Sequence, residues 1–162
     1  MPTPGDPTAG HSAQHRPLAA YGAIAAAFNG AFAAGLIAAR RADRLPDRFH
    51  PGDVALLAGA TAKLSRLIAK DRVTSVIRAP FTRFEEDSGY GEVSEAARGT
   101  GVQRAIGELL ICQYCVSQWV AAGMVIGHAL APRETRLVAG TFAVFGLADV
   151  LNLAYSAAQD RA

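Results

Sequence analysis

Gly107–Ala131 reads GELLICQYCVSQWVAAGMVIGHALA, and from Leu109 to its end it carries no firm charge, His128 being the one soft exception. Pro132 closes it. At about 1.5 Å per residue such a helix reaches ~34 Å, enough to cross a ~30 Å hydrocarbon core. Two further stretches behave alike. Leu18–Ala39 has no charge at all and is half Ala, and Leu137–Ala158 is equally long with Asp149 as its one charge. Only Pro-Arg-Glu-Thr-Arg separates the last two, so they read as an antiparallel helical hairpin.

The composition agrees. Of 162 residues 51% are hydrophobic and 19% charged, so a disordered chain is excluded for most of the length. Mean hydropathy is +0.17, although the amino-terminal residues and the middle of the chain are polar. Two Cys cannot frame a secreted disulfide scaffold, and a net charge of +2 does not suit a nucleic-acid binder. The expected fold is an all-α membrane protein with three transmembrane helices plus one amphipathic basic helix; four transmembrane helices are the alternative. Residues 1–17 read as a disordered tail, 18–158 as a helical membrane domain and 159–162 as a short tail.

The basic helix is 54–70. Lys63, Arg66 and Lys70 share one face, opposite Leu56, Ala60, Leu64, Leu67 and Ile68, so it is expected to lie in the headgroup plane. From 63 to 83, Lys63, Arg66, Lys70, Arg72, Arg78 and Arg83 are opposed by Asp71 alone, which makes them candidate ligands for anionic headgroups. Residues 73–84 look extended, with Pro80 confining any strand to an edge, and 85–100 looks like an acidic loop. Twelve of the sixteen cations lie between Arg40 and Arg104. Cations favour the cytoplasmic side, so region 40–106 is expected to face the cytoplasm, with the amino terminus outside and the carboxyl terminus inside.

Chemistry concentrates on few residues. Cys112 and Cys115 are spaced for a disulfide or shared metal ligation. On one continuous helix Arg104, Glu108, Cys112, Cys115 and Trp119 would form a single stripe. Candidate catalytic residues are thus Cys112, Cys115 and Glu108, and candidate metal ligands Cys112 and Cys115. No cofactor is implied; the alternative is zinc shared with a second chain. At a cytoplasmic end the pair is expected to be two free thiols. Asp149 and Asn152 sit mid-span, where a carboxylate must be neutral or paired; Asn29, Lys63 and Arg66 are candidate partners. Gly123-x-x-x-Gly127 and Ala26-x-x-x-Gly30 would let helices approach closely.

Lys63–Asp71 (KLSRLIAKD), Val73-Thr-Ser75, Arg78-Ala-Pro-Phe-Thr82, Gly107-Glu-Leu-Leu110, the Cys112-x-x-Cys115 pair and Trp119 together resemble the bacterial membrane family called domain of unknown function 1360, which has sporulation-protein-like members. The resemblance runs from Tyr21 to Ala157. It implies a small multi-pass bacterial cell-membrane protein and carries no activity with it. Gln113 stands where a Pro would make the Cys pair a stiff metal knuckle. The expected role is structural or interactive, with the lipid bilayer, anionic headgroups and a further copy of the chain as partners and no nucleic acid. The alternatives are a membrane thiol redox or metal-binding protein using the Cys pair, and an ion-coupled component around Asp149. The balance leans away from an enzyme.

Overall fold

The computed structural model describes residues 17–161. The tail expected over 1–17 falls almost wholly on residues 1–16, outside the described residues; of the tail expected over 159–162 only residue 162 does, and Gln159 is the last residue of a helix.

Helix α1 (Leu18–Arg41) owes its length to Ala, the strongest helix former, and ends on Arg40 and Arg41, which suit the negative end of the dipole. Helix α2 (Pro51–Lys70) opens with Pro51 in its first turn and Asp53 near its positive end. A single turn, α3 (Ser75–Arg78), precedes an antiparallel pair of strands, β1 (Thr82–Asp87) and β2 (Val93–Ala97). Then come α4 (Gly101–Ile111), α5 (Gln113–Leu130) and α6 (Pro132–Gln159). The fold is mostly helical, and the small sheet corrects the expectation of an all-α chain. The stretch expected to be a loop at 85–100 carries most of that hairpin.

Helices α1 and α6 are long and apolar enough to cross a membrane. Helices α4 and α5 make a third candidate if they count as one broken span. They are not one straight helix: the chain bends by 83° between them, because Cys112 adopts an extended conformation (φ −95°, ψ 98°). The single helix expected over 107–131 is therefore corrected, and with it the continuous stripe from Arg104 to Trp119.

Helix α2 does not stand apart from the other helices. Its pairing with α6 is the most extensive between helices, followed by its pairing with α5. Leu57 and Ala60 of α2, Met124 of α5 and Ala139 of α6 form the core. Asp53 meets Arg136, and Lys63 meets Asp149, so α2 and α6 run in the same direction. Asp53 also lies beside His128, at the far end of α5, so α5 runs against them. Helix α1 runs with α5: Phe28 packs on Trp119, and a Cβ on Gly35 would press into Ile126. Of the expected small-residue steps only Gly127 sits at a close helix approach, against Thr135 of α6. Gly30 and Gly123 face open space.

Candidate functional site at the broken helix

Cys112 is the residue that breaks the span. As N-cap of α5 its Sγ accepts a hydrogen bond from the Cys115 N–H at 3.2 Å, and its carbonyl accepts from the same group at 2.9 Å. The side chain thereby satisfies one of the free amides at the helix start. The two Cα atoms stand 5.2 Å apart and the sulfurs form a disulfide. The expectation of two free thiols is thus corrected: the Cys112 turn brings the thiols together.

Both sulfurs line a cavity of about 850 Å3 between α1 and the α4–α5 bend. Tyr21, Phe28, Asn29, Glu108, Gln118 and Trp119 share its wall. The Tyr21 hydroxyl donates to Glu108 Oε2, and Arg104 Nε donates to Oε1 at 2.9 Å. Phe28 meets Trp119 edge-on, with ring centroids 5.2 Å apart. So Glu108, Cys112, Cys115 and Trp119 do come together. The bend and α1 bring them together, which a single helical wheel could not reveal. Asn29 belongs to this wall and donates to the Ala25 carbonyl of its own helix, so it is not the partner of Asp149.

Asp149 pairs with Lys63, whose ammonium also lies 3.8 Å from the Phe145 ring centroid. Asn152 is exposed on α6. Among the described residues no three His, Cys, Asp or Glu side chains are grouped to hold a metal ion.

The six candidate headgroup ligands are mostly engaged. Arg66 binds Glu92, with Nη2 to Oε2 at 2.9 Å, and Arg72 binds Asp87 at 2.9 Å. Arg78 is fully buried. Its Nε and Nη2 donate to the Glu95 carboxylate at 2.8 and 3.1 Å, and its other bonds go to the Ile68 and Asp71 carbonyls and the Thr74 and Ser75 hydroxyls. Arg78 therefore caps the end of α2 and cannot touch a headgroup. Burial pushes the Glu95 carboxyl up, but hydrogen bonds from Arg78, Thr82 and Ser75 outweigh it and hold the group below its ordinary range. Lys70 and Arg83 have no carboxylate partner among the described residues.

Sequence reasoning missed two clusters. One is the clasp of Arg78, Thr82 and Glu95. The other joins Asp53 to Arg136 through two bonds of 2.8 and 2.9 Å, with His128 Nε2 3.6 Å away. Its only signal was a lone His in an apolar segment. The Nδ1 of His128 is buried without a partner among the described residues.

Two apolar helices of crossing length, in a mostly helical fold held by ion pairs between its elements, define a small helical membrane-associated protein. The chain belongs to the family described as Protein of unknown function (DUF1360), whose model matches residues 56–155. It is 31% identical over 101 residues to a protein named Sporulation protein YjcA from Bacillus subtilis (strain 168), a match that covers 60% of this chain and 86% of that protein. No solved structure matches the chain. The matched region begins inside α2, so α1 lies before it.

Proposed function

We propose that the chain is a four-span membrane protein whose Cys112–Cys115 pair cycles between dithiol and disulfide. Placement of α2 supports the four spans. It is 20 residues long, which gives ~30 Å, and runs beside α6. If α6 crosses, α2 crosses with it. Lys63 can stay at depth because Asp149 neutralises it and the Phe145 ring face adds a cation–π contact, and Arg66 reaches out to Glu92. Both termini and the hairpin then share one side. Nine Lys and Arg fall on that side and six on the other, with Lys63 between them, which supports a cytoplasmic hairpin and termini. This departs from the three-span topology, in which the amino terminus is outside. A headgroup role falls to Lys70 and Arg83.

The observation that carries the redox reading is the position of Cys112 at the start of α5. A thiolate released there meets the Cys115 N–H and the positive end of the helix dipole. Exchange needs no other group: a substrate dithiol reduces the disulfide through a mixed disulfide and leaves as a disulfide itself. Purified protein is equilibrated in glutathione buffers of graded potential, quenched with acid and tagged with a mass-shifting maleimide. Both thiols should appear together in one reversible transition. Two tags at every potential would leave only a packing role. Tags that appear only after a chelator would transfer the pair to a metal site.

A further inference from the structure

We infer that the cavity beside the Cys pair binds a quinone dissolved in the bilayer. Its walls and location favour this occupant. About 850 Å3 lies within the usual range for a small-molecule site. Phe28 and Trp119 present aromatic surfaces set at 72° to each other, and Tyr21 adds a third ring. A flat ring system stacks on such surfaces. The quinone's two carbonyl oxygens need donors, and the Asn29 and Gln118 amides stand in the wall. The α1 residues of the wall, Tyr21 to Asn29, cover ~12 Å of helix axis and belong to an apolar helix of crossing length. A ligand reaching them comes from the hydrocarbon. A lipid phosphate fits poorly, because no Lys or Arg lines the wall and Arg104 is already engaged by Glu108.

The chemistry balances with the redox pair. Two thiols lose two electrons and two protons as the S–S bond forms, and the quinone gains both as it becomes quinol. Glu108 lies in the same wall, with its two oxygens held by Tyr21 and Arg104. The electron transfer requires the redox cycle proposed above, whereas binding requires only the cavity.

Trp119 is the chain's one tryptophan, so its fluorescence reports on this cavity alone. The full chain in phosphatidylcholine nanodiscs is titrated with a short-chain ubiquinone analogue. Quenching should saturate, and Ala25→Phe, which fills the cavity from an exposed position of α1, should weaken it at least tenfold. Gly123→Ala, which lies outside the cavity with nothing within 4 Å, should bind as wild type does. A ring-free alkyl alcohol of equal chain length should not compete. Quenching that rises linearly with quinone and ignores Ala25→Phe overturns the inference, and so does full displacement by the alcohol. Saturable binding to a pair that never oxidises, with quinone or with oxidised glutathione, leaves the site standing and removes the redox cycle instead.

Discussion

Lys63 and Asp149, far apart in sequence, form an ion pair between α2 and α6, about three helical turns along α2 from the Asp53–Arg136 pair. The Lys63 side chain is only 11% exposed. The two helices are thereby fixed in register at two levels. Substituting Asp149 by Leu leaves a buried ammonium, at a cost of about 2–3 kcal/mol. The double variant Lys63→Met, Asp149→Leu should recover most of that loss. Thermal unfolding in detergent checks this. Equal loss in the single and double variants would show that the two charges are not coupled.

The clasp between Arg78 and Glu95 should make the hairpin sensitive to acid. The Glu95 carboxyl is held below its ordinary range when folded. Its stabilisation is therefore complete above the unfolded value and is lost as pH falls through the folded one. Amide exchange in β1 and β2 should quicken below about pH 4, near the ordinary range for Glu, beyond the intrinsic dependence of exchange. In Glu95→Gln the hairpin should be weakened already at neutral pH, with little further loss in acid.

Gly107 is fixed by space. A Cβ there would meet the Phe81 carbonyl oxygen and Ala97, so α4 could not rest on the hairpin. Gly107→Ala should cost about 1–3 kcal/mol of stability. Gly123→Ala, where nothing lies within 4 Å, should be neutral or up to about 1 kcal/mol stabilising, since Gly is a poor helix former. Unfolding midpoints of the two variants should move in opposite directions or differ by several degrees.

Four spans and three make opposite demands on the loop before α2. In a background with Cys112→Ser and Cys115→Ser, Asp47→Cys should react with an impermeant maleimide in intact cells. Ser88→Cys, in the hairpin turn, should react only after lysis. Labelling of neither before lysis would restore the three-span arrangement, with α2 at the cytoplasmic surface.

Legibility followed periodicity and charge. The crossing lengths of α1 and α6 were readable because apolar runs as long as Leu18–Ala39 and Leu137–Ala158 have few other uses. Lys63 was readable as a partner of Asp149 because a carboxylate at that depth must find a cation. The break at Cys112 was not: Ile111, Cys112 and Gln113 carry no Gly or Pro, and the turn is decided by α4 docking on the hairpin through Gly107. The hairpin was hidden for a similar reason. Glu92 and Glu95 look like an acidic loop until Arg66 and Arg78 arrive from other elements. The interior position of α2 was hidden by its cations, whose partners lie 26 and 86 residues away.

The distance in sequence between Lys63 and Asp149 also orders the birth of the protein. At about 5–20 residues per second, Asp149 leaves the ribosome roughly 4–17 s after Lys63. Until then a four-span chain holds in α2 a segment that the translocon has no hydrophobic reason to release sideways into lipid. In that arrangement helix α1 would be handed over at once, whereas α2 would wait for its counter-charge. In a four-span chain the last helix made would therefore recruit the second, and a nascent chain stopped short of Asp149 would leave α2 at the insertion machinery, a ready target for quality-control proteolysis.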